Sequence, residues 1–196
     1  MTSIKHKLCD IQGRLFELFT ETSYSMESLV KTFMNSELAK NLDSEYNRMQ
    51  WAGEEYLLEE LIATCKDRLI TKRETFSKDV LFWMGYVYRY WHFYTDEESN
   101  KIYKQAPFET MNVNYLMFHT MDVEMAIDDL KEIFKQSHLH GMRKELADFY
   151  LHGQDDVLGP IYGKTTMINK YRPEGMTIGT LHNREILSMG RIGLEK

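Results

Sequence analysis

Three prolines in 196 residues leave long stretches of this chain without a residue that blocks helix formation. Such scarcity suits a helical fold, because proline removes a backbone donor and its ring clashes with the preceding turn. Cysteine is scarcer still: Cys9 and Cys65 lie far apart with no C-x-x-C spacing, so they read as reduced, buried thiols and not as a disulfide framework or a catalytic pair. Positive charge is also in deficit. Twenty-four Lys and Arg against thirty Asp and Glu give a net charge of −6, which argues against nucleic acid as a partner of the whole molecule. No signal-peptide core fits Met1 to Leu18, where Lys5, Lys7, Asp10, Arg14 and Glu17 are spread throughout. The uncharged run Val80 to Tyr88 is far too short to span a bilayer. A cytoplasmic protein with no membrane partner is expected.

The chain also lacks the short motifs that announce common chemistries. There is no G-x-S-x-G, no dinucleotide glycine fingerprint and no E-x-x-H pair for a di-metal site in a bundle. No arginine is followed by histidine at the spacing used by helical ribonucleases of the HEPN type. No cofactor is implied.

What is present is a helix-forming pattern over the first 152 residues. Leu8, Ile11, Leu15, Leu18 and Phe19 recur at threes and fours and predict a helix from about Ser3 to Phe19, with Gly13 as a weak point in its middle. Ser23 or Ser25 can cap a second helix whose stripe is Met26, Leu29, Val30, Phe33 and Met34. Ser36 to Leu42 reads as a turn. Asp43 or Ser44 then opens a long helix with Met49, Tyr56, Leu57, Leu61 and Cys65 on one face, and with Gly53 placed for close helix approach. A helix after Ser77 carries Phe82, Trp83, Tyr86, Tyr88, Tyr90, Trp91, Phe93 and Tyr94, and being apolar on nearly every side it is expected at the centre. Thr95-Asp96-Glu97-Glu98 has the form of a capping box, and Pro107 stops the following helix near Ala106. A short segment from Asn112 to His119 precedes Asp122, which caps Val123 to Gln136; Gly141 and Gly153 bracket one more short helix. The thirteen methionines suit helices and irregular core gaps, or else a binding surface.

The composition changes after Gly153. The expected organisation is a helical domain over 1–152 and a tail over 153–196: a loop, then Thr165 to Tyr171 and Met176 to Leu181 around Arg172-Pro173-Glu174-Gly175, which can form a β-hairpin, then a short helix. The tail has a net charge of +1 and the helical part −7. The fold class is therefore all-α, a bundle of about six or seven helices with a small appendage.

Three constellations could carry chemistry. Arg89 is the single charge in the aromatic run, and a guanidinium there needs a carboxylate, a set of carbonyls or an anionic ligand. Glu54, Glu55, Glu59 and Glu60 on the preceding long helix are the candidate partners. If Arg89 instead opens on a cleft, then Trp83, Tyr90 and His92, with Glu55 and Glu59, are the residues to line a ligand site. Gly159 to Thr166 approaches a phosphate-binding loop but has three residues between its glycines where four are needed, and no strand before it. His138, His140 and His152 are weak candidates for a metal, in a pattern that matches no zinc motif, so no metal site is expected. His119 reads as a structural imidazole bonded to a carbonyl.

Two functions are compatible with this chain. The first is a non-enzymatic interaction or regulatory protein, of the antitoxin or immunity kind, binding another protein or itself with the tail contributing to the interface. The second is a small-molecule or nucleotide-binding protein, or an enzyme, with an anion pocket around Arg89. Nucleic acid could be reached only through the tail's Lys164, Lys170, Arg172, Arg184 and Arg191.

Overall fold

A computed structural model describes residues 2–152 of the chain. The residues up to Arg143 form one compact unit; the account below concerns that unit and the helix that runs on to His152. The described residues contain eight α-helices: α1 (Ser3–Leu18), α2 (Met26–Met34), α3 (Glu37–Asp43), α4 (Glu54–Cys65), α5 (Lys78–Thr95), α6 (Ser99–Gln105), α7 (Phe108–Phe118) and α8 (Val123–His152). The only pairing of extended chain among them is an antiparallel bridge from Tyr24 to Thr71. The all-α expectation is met. The hairpin expected over 165–181 and the glycine-rich loop at 159–166 lie outside the described residues. No helix among those described is long and apolar enough to cross a membrane.

The stripe of α2 is where the spacing put it, with Met26, Leu29, Val30, Phe33 and Met34 all buried. Other boundaries differ, each for a physical reason. Ser36–Leu42 is a helix, not a turn: the Ser36 hydroxyl accepts from the Ala39 N–H at 3.2 Å, and Leu38, Ala39 and Leu42 are buried. Seven residues could not hold a helix alone in water, so burial against neighbours sustains this one. Consequently Asp43 ends α3, and the long helix expected from there begins only at Glu54. Thr95 does not open a capping box, because α5 runs through it. Its hydroxyl donates to the Trp91 carbonyl at 3.0 Å, and Asp96 stops the helix in the left-handed region (φ 55°). Gly141 interrupts nothing, and α8 passes through it.

The core is built on the pairing of α1 with α5, which pack along much of their lengths. Leu15 and Phe16 of α1, with Phe19 just beyond its end, meet Leu81, Met84, Tyr88 and Trp91 of α5, with Leu29 and Phe33 of α2, Leu57 and Leu61 of α4, and Ile127 and Leu130 of α8 closing around them. The buried Tyr88 hydroxyl donates to the Ala106 carbonyl at 2.6 Å, which fixes the end of α6 to α5. The aromatic helix is not buried on every side, however. Phe82, Trp83, Tyr86 and Tyr90 are half-buried and Tyr94 is exposed.

The two helices touch at glycines. A Cβ on Gly85 would collide with the carbonyl oxygen of Gln12 and lie 2.9 Å from the Cα of Gly13, while one on Gly13 would lie 2.8 Å from the Phe82 ring. The close approach expected at Gly53 is therefore found at Gly13 and Gly85; Gly53 is exposed and meets only the carboxylate of Glu55. Gly141 gives the contrast, with nothing within 4 Å of a Cβ placed there. Gly85→Ala is expected to destabilise the protein by about 1–3 kcal/mol through overpacking against rigid backbone. Gly141→Ala should stabilise it by roughly 0.5–1 kcal/mol through helix propensity. Urea unfolding of the two variants checks both signs.

Candidate functional site

The close α1–α5 crossing places the side chain of Gln12 one helical turn from Gly85, beside Arg89. Arg89 is 1% exposed, so its guanidinium sits where an unpaired charge could not persist. Its Nε donates to Gln12 Oε1 at 2.8 Å and its Nη1 to Asp43 Oδ1 at 2.6 Å. Asp43 in turn accepts from Ser99 twice: the hydroxyl donates to Oδ1 at 2.7 Å and the backbone N–H to Oδ2 at 2.8 Å. The Arg89 guanidinium also stands 5.8 Å from the centre of the Phe93 ring. Burial pulls Arg89 below its ordinary pKa, and the charge of Asp43 works against that. Helices α1, α3, α5 and α6 thus meet at one ion pair.

The partner is an aspartate at the end of α3, not a glutamate of the long helix. Glu55 and Glu59 are exposed on α4, and Glu54 lies 3.7 Å from Arg14. The reason is placement: α4 packs chiefly on α1, while α3 ends beside α5 and α6. The network also answers two local problems. A carboxylate at a helix C-terminus opposes the helix dipole, and Arg89 compensates it. The first turn of α6, whose N-cap Glu98 makes no side-chain cap, receives the Asp43 carboxylate as a cap from elsewhere in the chain.

Of the other residues singled out in the sequence, His92 comes beside the pair, and Trp83, Tyr90, Glu55 and Glu59 are engaged or exposed elsewhere. His92 lies 3.8 Å from Asp43 Oδ1, but its Nδ1 is 2.8 Å from the Glu97 carbonyl, to which it must be the donor. Trp83 packs edge-on against Tyr115 with ring centres 5.6 Å apart, and the Tyr90 hydroxyl donates to Glu124 at 2.9 Å. Burial, then the bond to that carboxylate, pushes Tyr90 up to about 12. His119 behaves as expected, its Nδ1 2.9 Å from the Tyr115 carbonyl. His138 and His140 are exposed on α8, where a spacing of two turns them to different sides of the helix, and His152 is its last residue. No group of three His, Cys, Asp or Glu among the described residues could hold a metal ion. Cys9 and Cys65 are free and buried, and burial raises the Cys9 thiol to about 12, so it stays protonated.

A polar cleft of about 270 Å³ opens beside the ion pair, between Ser36 and Lys40 on one side and Ser99 and Asn100 on the other, with Asp43 in its wall. A second, of about 360 Å³, lies along α2. Arg89, Trp83, Tyr90 and His92 line neither. No family model, curated protein or solved structure matches the chain. The reading therefore rests on the geometry.

That geometry makes Arg89–Asp43 an element of architecture. Asp43→Asn and Arg89→Met are each expected to cost about 3–5 kcal/mol, because either leaves a buried polar group or charge without its partner. Glu55→Gln and Glu59→Gln should change stability by under about 0.5 kcal/mol. Urea unfolding of the four variants separates the two carboxylate sets. Glu97 supplies a pH-dependent counterpart. Burial alone would raise its carboxyl, but bonds from Lys131 (2.8 Å) and Gln105 hold it below the ordinary 4.5. A depressed folded value means that its contribution is present above 4.5 and lost as pH falls through the folded value. Unfolding free energies measured from pH 6 down to about pH 3 should therefore fall less steeply in Glu97→Gln than in the parent.

Proposed function

We propose that the protein is a non-enzymatic helical interaction protein, of the regulatory kind that antitoxins and immunity proteins represent, and that α7 presents the surface its protein partner covers. The observation that carries this reading is the outer face of α7. Val113, Leu116 and Met117 are 67%, 80% and 64% exposed, at the i, i+3, i+4 spacing that puts them on one side of a helix. The opposite side, Phe108, Met111 and Phe118, is in the core. From Thr110 to Met121 there is no charged residue apart from the titratable His119. A helix apolar on both faces is expected between two partners, and only one is supplied by this unit.

The partner surface that fits is equally uncharged and apolar, such as the stripe of an amphipathic helix. The basic residues of the tail are a second contact in this reading. An anion pocket at Arg89 has less support, since that guanidinium is bonded to Asp43 and Gln12 inside the core and lines neither cleft.

Leu116→Glu tests the proposal without touching the core. The variant is expected to keep its far-UV circular dichroism and its melting temperature within a few degrees. It should also lose at least tenfold in affinity for any protein that the parent chain retains from extracts of its own cells. A partner held equally well by parent and variant would refute the assignment of α7.

A further inference from the structure

Beyond Phe134, α8 runs on uncovered. Every residue from Lys135 to Ala147 is exposed, a stretch of about 20 Å at the helical rise. A Cβ on Gly141, in its middle, would meet nothing within 4 Å. A helical stretch of this length is marginal in water when nothing packs on it, and a glycine inside it costs about 1 kcal/mol more. Yet the stretch is not polar all round. Leu139, Met142 and Leu146 are 46%, 57% and 60% exposed, at the i, i+3, i+7 spacing that aligns them in one stripe. This arm is one half of a helix pair whose other half is missing among the described residues around it.

The chain carries a matching half in the outer face of α7, where Val113, Leu116 and Met117 form a second apolar strip. The charges bordering the two strips have opposite sign. Glu109 precedes Val113 by one helical turn on α7, and Arg143 follows Leu139 by one turn on α8, so each stands beside its strip. Both are exposed, and neither forms an ion pair among the described residues. Area favours using both strips at once. The α7 strip alone exposes roughly 400 Å² of apolar side chain, no more than the largest patch of an ordinary monomer. Strip and arm together come to roughly 700 Å² per chain, so a reciprocal pair covers about 1,400 Å², within the range that stable interfaces bury. A two-fold axis makes the contact reciprocal and leaves neither strip open. A one-way contact would leave one arm and one α7 bare, and would go on adding copies.

Given α7 as the face that a protein partner covers, a reading on which this one rests, we propose that the partner is a second copy of the chain. In this two-fold dimer the arm of each copy lies across α7 of the other. Leu139, Met142 and Leu146 then pack on Val113, Leu116 and Met117, with Arg143 beside Glu109.

Sedimentation velocity of the full chain over a concentration series reads the dimer directly. The parent is expected to dimerise with a dissociation constant in the micromolar range or tighter, as interfaces of this area do. Met142→Glu on the arm and Leu116→Glu on α7 should each weaken the dimer at least tenfold, while far-UV circular dichroism shows both variants folded. Glu109→Arg and Arg143→Glu should each weaken it several-fold, the double variant should regain the parent's affinity, and Glu55→Gln on α4 should change nothing. A parent that stays monomeric at several hundred micromolar overturns the second copy as partner, whereas α7 stands as a binding face if Leu116→Glu still releases a different protein. A dimer that Met142→Glu leaves intact, or charge reversals that do not rescue each other, overturns the pairing of α8 with α7. A dimer untouched by Leu116→Glu overturns it as well.

Discussion

One buried charge organises the first unit of this protein. A guanidinium cannot lose its proton to escape burial, so Arg89 imposes a demand that no repacking of apolar side chains could satisfy. Asp43 and Gln12 meet it at Nη1 and Nε, and Ser99 meets the demand that Asp43 creates in turn. The consequence is a constraint on four helices. α1 must come close enough to α5 for Gln12 to reach, which the glycines at 13 and 85 permit. α3 must end at Asp43, and α6 must begin at Ser99. Moving any of these by a turn would strand a charge, at a cost large against the 5–15 kcal/mol by which a domain of this kind is stable.

The helices themselves were largely legible in the amino-acid sequence, because their evidence is local. The spacing of Met26, Leu29, Val30, Phe33 and Met34 fixes a buried face whatever surrounds it, and Pro107 closes α6 by its own stereochemistry. The errors fall where distant contacts outweigh local signals. Ser36 to Leu42 is too short to look like a helix, and becomes one because Leu38 and Leu42 are buried. Asp43 has the chemistry of an N-cap for the helix that follows it, yet it serves as a cap for α6 more than fifty residues later. Thr95 to Glu98 fits a capping box in composition, but α5 consumes the threonine. The need for a partner at Arg89 was visible; which carboxylate supplies it was not, since only the packing of α3 between α5 and α6 decides that.

The aromatic run is similarly divided between two roles. Tyr88 and Trp91 are wholly inside, and with Phe16 and Phe33 they form the centre of the core. Phe82, Tyr86 and Tyr90 stand along the half-buried side, with neighbouring ring centres about 6 Å apart. Density of rings alone therefore did not mark a binding box. Helix α7 carries the opposite lesson. Its three exposed apolar residues lie in a stretch with fewer rings and less obvious pattern, and the sequence offered no reason to single it out, because a helix apolar on both sides looks the same whether or not its outer side has a neighbour.

The separation of these features bears on what the molecule can do. The ion pair is committed inside the core: Asp43 accepts three hydrogen bonds, and Arg89 is enclosed with its Nε and Nη1 bonded and its Nη2 without a partner among the described residues. Rigidity is what the pair contributes. It ties α3 and α6 to the α1–α5 pairing, and so holds the end of α2 that precedes α3. Exposed apolar surface lies elsewhere, on α7. A scaffold whose one costly charge is resolved internally can present such surfaces without reorganising, and preorganisation is the property that a binding protein most needs when affinity must survive the entropy lost on association.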